Sequence, residues 1–265
     1  MSEPVTLASG LKLNTVIHGQ GAAKPWIVLS NSLGTNLTMW DPQIALLTSK
    51  YQVLRYDTRG HGNSETPQGP YAMDDLVDDV IHLMDAKGIE TADFMGLSMG
   101  GMTGLGLALR HSDRISRVVC ADGRADAPEP FRAMWDQRIA AVSENGLEGI
   151  ADGTLMTWFT EEWRNNNPTE LAQVKSMILG NDPAGYMACC RALKGLDYLK
   201  DLGGVSIPML FVGGDKDKGA APDVMRAMAD ATPGGVFHEI VDAAHIANIN
   251  QPEAFNASVT DFLGL

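Results

Sequence analysis

The sharpest chemical feature of the chain is Gly96-Leu97-Ser98-Met99-Gly100, a G-x-S-x-G pattern where an apolar run ends and a helical run begins. A serine on a tight strand-to-helix turn needs small residues two positions to either side, because the backbone folds sharply there and neighbouring elements approach closely. The bare pattern is short enough to arise by chance, but a strand before it, a helix after it and a further Gly101 make it specific. A serine hydroxyl is a poor nucleophile until a base takes its proton, so the reading requires a histidine and a carboxylate to orient it. Of the six histidines, His18 ends an early strand, His61 sits in a Gly-bounded turn, His82 and His111 lie on helical runs, and His238 lies within a strand. Only His245 falls in a loop between the last strand and the terminal helix. For the acid, Gly214-Asp215-Lys216-Asp217 follows an apolar strand. Asp217 lies farther into the loop and can reach across to His245, Asp215 reads as a cap on backbone N–H groups, and Asp122, ending an earlier strand, is a third candidate. Acyl transfer also needs donors for the developing oxyanion, and the turn chemistry points to the N–H groups of Met99 and Leu33. Leu33 belongs to the loop Asn31-Ser32-Leu33-Gly34, in which Asn31 and Ser32 read as ordinary turn residues as readily as direct participants.

The elements that must position these groups follow from the patterning. β-type runs at Lys12–His18, Trp26–Ser30, Gln52–Asp57, Ala92–Leu97 and Ile115–Asp122 alternate with helical runs at Met73–Ala86 and Met99–His111. That alternation predicts crossover units feeding a mainly parallel sheet. From about Arg124 to Gly204 the strand signals vanish, and Trp135, Trp158 and Trp163 appear with Met134, Met156, Met177 and Met187. We read this stretch as a helical lid, with a small second helical domain as the alternative. Strand character returns at Pro208–Gly213 and Val236–Val241, with helices at Pro222–Ala231 and Gln251–Leu263. Because Ser98 precedes the helical stretch while Asp217 and His245 follow it, residues 1–123 and 206–265 must complete one core around an insertion at 124–205.

Composition bounds the partners. With 20 Lys+Arg against 33 Asp+Glu, the formal charge is −13, which opposes nucleic acid and anionic membrane surfaces. No apolar stretch approaches the roughly 20 residues of a membrane span, and the opening MSEPVTLASG has neither a basic nor an apolar leader region. The expectation is a cytoplasmic protein with a small-molecule substrate, no nucleic-acid or membrane partner, and a composition compatible with a homo-oligomer. Three cysteines, Cys120, Cys189 and Cys190, form neither a CxxC nor a zinc-type spacing and read as packed thiols. There is no H-E-x-x-H, no G-x-x-x-x-G-K-[ST] and no G-x-G-x-x-G after a strand, so no metal, nucleotide or flavin cofactor is expected.

These motifs together resemble the α/β-hydrolase superfamily, and within it the 3-oxoadipate enol-lactonases. The resemblance spreads along the chain: LSNSLGTNLTMWDPQ at 29–43, VLRYDTRGHGNSETPQGPY at 53–71, GLSMGGM at 96–102, WFTEEW at 158–163, MACCRALKGLD at 187–197 and AHIANINQPEAFN at 244–256. It implies the α/β-hydrolase fold, a mostly parallel central sheet flanked by helices with a helical lid inserted after the fifth or sixth strand. It also implies a triad of Ser98, Asp217 and His245 with Leu33 and Met99 as oxyanion donors. Two places depart from the family pattern. Ala121-Asp122-Gly123-Arg124-Ala125-Asp126 stands where relatives carry an Asn-Thr-Ala-Ala-type stretch, and lysines flank Asp217.

The expected activity is hydrolysis of an ester or lactone through an acyl-enzyme, with 3-oxoadipate enol-lactone or a related lactone as substrate. The alternatives are a general carboxylesterase, a C–C bond hydrolase with a reshaped lid pocket, and a hydrolase-fold ligand sensor. A dehalogenase would carry Asp where this chain has Ser98. An acidic protein that handles an anionic lactone needs a local cation, and the lid arginines Arg124, Arg138 and Arg191 are the candidates. Met134, Trp135 and Trp158 are candidates for lining the acyl pocket, with core packing as their alternative role.

Overall fold

Eight strands form one sheet in a computed structural model that describes residues 2–20 and 23–265. The elements in chain order are β1 (Glu3–Thr6), β2 (Lys12–His18), β3 (Trp26–Ser30), α1 (Asp41–Leu47), β4 (Gln52–Tyr56), α2 (Met73–Ala86), β5 (Ala92–Leu97), α3 (Met99–Arg110) and β6 (Ile115–Ala121). Helices α4 (Glu129–Asn145), α5 (Glu148–Trp158), α6 (Glu161–Asn166), α7 (Pro168–Leu179) and α8 (Pro183–Lys194) follow. Then come β7 (Met209–Gly214), α9 (Pro222–Ala231), β8 (Val236–Ile240), α10 (Ala247–Asn250) and α11 (Pro252–Leu263).

The strand order is β1-β2-β4-β3-β5-β6-β7-β8. β1 and β2 pair antiparallel, β2 joins β4 antiparallel, and every pairing from β4 onward is parallel. Crossover helices cover both faces, so the central strands must be apolar throughout, and every residue of β5 and β7 is buried. Two apolar clusters result, one holding Phe94, Val118 and Phe211, the other Leu29, Met95 and Val212. These residues alternate along their strands, so the clusters lie on opposite faces of the sheet.

The order in which strands are added reverses between β3 and β5, where the sheet runs β4-β3-β5-β6 with all four strands parallel. In open parallel sheets the loops beyond such a switch point diverge and leave a crevice. Ser30 of β3 pairs with Gly96 of β5 at this seam, so the loops carrying Leu33 and Ser98 leave the sheet side by side. Helices α4–α8 all fall between β6 and β7, and those two strands pair directly, Val118 with Met209 through Ala121 with Val212. The segments before and after the insertion therefore share one sheet. Among the described residues no helix is long and apolar enough to cross a membrane.

The strand and helix ranges read from patterning agree with the structure to within a residue or so at each end. β1 carries no such signal because Val5 is its only buried residue.

Candidate active site

Ser98 sits at the β5–α3 junction with φ 55° and ψ −116°, a backbone region that a non-glycine residue occupies only under strain. Flanking glycines permit the turn by close approach: a Cβ on Gly96 would lie 2.2 Å from the Gly100 carbonyl carbon, and one on Gly100 would lie 2.2 Å from the Ser30 carbonyl oxygen. The Ser98 N–H donates to the Ala121 carbonyl (2.8 Å) and its own carbonyl accepts from Met102 (2.9 Å), which pins the strained residue from both sides.

The Ser98 hydroxyl lies 2.9 Å from His245 Nε2, and His245 Nδ1 lies 2.7 Å from Asp217 Oδ2. A carboxylate only accepts, so Nδ1 carries the ring proton and Nε2 is left to accept from Ser98. The remaining Asp217 oxygen accepts from the Gly219 N–H at 2.7 Å. Burial alone would push the Asp217 carboxyl up, but the adjacent His245 and the N–H groups of Ala220 and Gly219 hold it below the usual carboxylate range. Burial likewise opposes charge on His245, and here the charge and hydrogen bond of Asp217, with a contribution from Asp122, raise the imidazole pKa above its ordinary value.

Asp122 takes a different part. It is fully buried at φ 43°, with one oxygen accepting from the Gly214 N–H (3.0 Å) and the other from the Ala247 N–H (3.2 Å). It thereby ties the end of β6 to the acid loop and to the segment just after His245. Burial, then the charge of Asp217, push its carboxyl well above the usual range. Asp215 does not cap backbone groups as expected: one of its oxygens accepts from Lys216, and the other is buried without a partner among the described residues. Lys216 pairs outward with Asp215 and Asp242, and neither flanking lysine is among the groups that lower Asp217.

The N–H groups of Leu33 and Met99 are buried and find no acceptor among the described residues. Leu33 lines the same cavity as Ser98 and Met99 follows it in the chain, which makes both N–H groups candidates for an oxyanion site. Asn31 is structural: its amide donates to the Tyr56 carbonyl (2.7 Å) and accepts from the Trp40 indole (3.1 Å). Three of the other histidines make contacts of their own. His18 contacts Arg55, His238 contacts the Ser258 carbonyl, and His61, whose pKa burial holds below its ordinary value, contacts the Arg59 carbonyl and lies near the Tyr186 ring.

Above Ser98 lies a cavity of ≈ 220 Å³, below the roughly 300–1,000 Å³ of pockets that hold drug-sized ligands. Its floor includes Leu33, Ser98, Asp122, Asp217 and His245; its roof is built by Met134, Trp135 and Arg138 of α4, Thr154 and Trp158 of α5 and Tyr186 of α8. Of the three candidate arginines the structure brings only Arg138 to this wall. Arg124 pairs with Asp126 at 2.9 Å and lies over the Phe131 ring, 4.4 Å from its centroid. Arg191 falls five residues beyond Tyr186, which at about 100° per residue carries it to another side of α8; it lines a separate surface depression with Arg110. Arg138 donates to the Thr154 hydroxyl and, among the described residues, has no carboxylate partner. Tyr186 and Thr154 were not anticipated, because which face of an inserted helix meets the cavity depends on how the insertion docks. Among the described residues no group of three or more His, Cys, Asp or Glu side chains is placed to hold a metal.

Comparison with known proteins shows the family. Residues 25–252 match the family described as alpha/beta hydrolase fold. A curated relative, 3-oxoadipate enol-lactonase 2 of Acinetobacter baylyi, is 39% identical over 255 residues, covering 95% of this chain and 93% of its own. The crystal structure of the enol-lactonase from Burkholderia xenovorans superposes with a TM-score of 0.96 at 41% identity, covering 99% of this chain and 100% of that one. A thermophilic esterase from Thermogutta terrifontis, solved with malate bound, superposes at a TM-score of 0.91 and 26% identity, covering 100% and 98%.

Proposed function

The chain belongs to the α/β-hydrolase family, and we propose that this hydrolase of ester or lactone bonds works through an acyl-enzyme on Ser98, with 3-oxoadipate enol-lactone or a closely related lactone as substrate. The observation that carries the chemistry is the relay from Ser98 Oγ to His245 Nε2 (2.9 Å) and from His245 Nδ1 to Asp217 (2.7 Å). Ser98 attacks the lactone carbonyl while its proton passes to His245, and Asp217 stabilises the imidazolium that forms. The carbonyl oxygen takes the negative charge beside the N–H groups of Leu33 and Met99. Collapse breaks the ring C–O bond, and His245 returns the proton to the departing enol oxygen. The enol then ketonises. Water, losing a proton to His245, attacks the acyl carbonyl; collapse breaks the bond to Ser98 Oγ, His245 returns the proton to that oxygen, and the second carboxylate is released.

Support for an anionic substrate comes from the roof. A cation without a carboxylate partner, in a small cavity of a chain carrying −13, suits a substrate that brings its own carboxylate. Helices α4–α8 act as the lid that supplies this cation and excludes water. The three cysteines are free and buried, which supports a reducing compartment such as the cytoplasm. Kinetics on an anionic enol-lactone, neutral lactones and short p-nitrophenyl esters test the reading. It predicts the highest kcat/KM on the anionic enol-lactone, and a preference for neutral esters would replace it with a general carboxylesterase.

A further inference from the structure

The loop after β3 uses its polar side chains to hold itself in place. The Ser30 hydroxyl shares a hydrogen bond with the Tyr56 hydroxyl (2.8 Å), Asn31 bridges Tyr56 and Trp40, and the Thr35 hydroxyl donates to the Ser32 carbonyl (2.8 Å). The Ser32 N–H is directed at the Met39 sulfur (3.3 Å). One side-chain group in this loop holds nothing: the Ser32 hydroxyl is buried without a partner among the described residues, in a residue 1% exposed. Burying a hydroxyl unpaired is unfavourable, so such a group calls for a partner that arrives later.

Its position indicates that partner. Ser30 and Gly96 face each other across the β3–β5 seam, and Ser32 and Ser98 each lie two residues beyond that pair. The Gly100 N–H donates to the Asn31 carbonyl at 3.1 Å, which locks the two turns together. Ser32, Leu33 and Ser98 all line the same cavity. We propose that the Ser32 hydroxyl is a third oxyanion donor, giving its hydrogen to the substrate carbonyl oxygen beside the N–H groups of Leu33 and Met99. The assignment rests on the acyl-enzyme reading above and adds to it a side-chain donor that mutation can remove. A hydrogen bond to an oxygen acquiring full charge is stronger than one to the neutral carbonyl, so the gain falls on the transition state.

Ser32→Ala tests this, assayed on p-nitrophenyl acetate and a neutral lactone alongside thermal unfolding. The expected result is a kcat lowered about 10²-fold with KM little changed, and a Tm at or above that of the wild type because an unpaired buried hydroxyl has been removed. Inhibition by methylboronic acid, which forms a tetrahedral adduct on the serine, should weaken by a similar factor. Ser32→Cys, close in size but a weak donor, should behave like the alanine variant. Near-wild-type kcat in both variants overturns the proposal, as does a kcat loss that comes with a clearly lowered Tm, which would make the hydroxyl structural. A wild-type enzyme inert on every ester and lactone offered would instead refute the acyl-enzyme reading itself.

Discussion

The floor and the roof of the cavity are built on opposite principles. On the floor, Ser98, Asp122, Asp217 and His245 leave the ends of adjacent strands, and backbone hydrogen bonds hold the serine and both carboxyls within one sheet. The roof consists of side chains on inserted helices, and among the described residues Arg138 has no carboxylate partner there and the buried Trp135 indole N–H has no acceptor. On the proposed reading, groups that must meet at hydrogen-bond distance are fixed before substrate arrives, whereas the groups assigned to substrate selection keep part of their capacity free. The two regions share apolar clusters, Ala188 and Leu193 of α8 with Phe94 and Trp158 of α5 with Leu29, and polar contacts also join them. Gly60 and Gly185 touch backbone to backbone, Asn181 accepts from the Gly62 N–H (2.9 Å), and the Ile246 N–H donates to the Trp158 carbonyl at 3.2 Å.

Removing the floor's chemistry should produce the largest effect. Ser98→Ala is expected to lower kcat by on the order of 10⁶-fold with an unchanged far-UV spectrum; residual turnover near that of the wild type would place the nucleophile elsewhere. Asp217→Asn should cost roughly 10⁴-fold, because an amide no longer selects the tautomer that leaves His245 Nε2 free to accept.

A break at the seam should be smaller and should read out as stability. A Cβ at Gly185 would lie 2.5 Å from the Gly60 Cα, so Gly185→Ala forces roof from floor and should cost about 1–3 kcal/mol, measured by chemical denaturation. An unchanged midpoint would mean that the roof moves freely over the core.

The mildest probe is pH. On the proposed mechanism turnover needs neutral His245, whose pKa is raised above the ordinary 6.5. kcat/KM should therefore fall as pH drops through an apparent pKa above 6.5. The linked stability runs the other way: it is fully present below the unfolded value and is lost as pH rises through the folded one. An acid limb centred below 6.5 would show that the carboxylates do not support the imidazolium.

The same contrast explains what was legible in the sequence. The turn at Ser98 announces itself because a strained nucleophile demands Gly96 and Gly100 nearby in the chain, and His245 is distinguished by its place between the last strand and the terminal helix. Continuous burial of β5 and β7 gave unbroken apolar runs, so the sheet could be read apart from β1. Asp122 was harder, since its role depends on backbone N–H groups donated by two distant segments. The roof was least legible: three arginines looked equivalent, and only the docking of α4 and α8 separates Arg138 from Arg124 and Arg191. Ser32 carries no sequence signal of its own, because a turn serine and an unpaired donor are spelled alike.

The division of labour between floor and roof is tested most directly by one ratio, the kcat/KM for an anionic enol-lactone divided by that for its neutral methyl ester, in the wild type and in Arg138→Gln. The account predicts that this ratio falls by about 10–100-fold in the variant, the weight of a charge-assisted hydrogen bond to carboxylate. An unchanged ratio would contradict it and place the selection of substrate charge somewhere other than the roof.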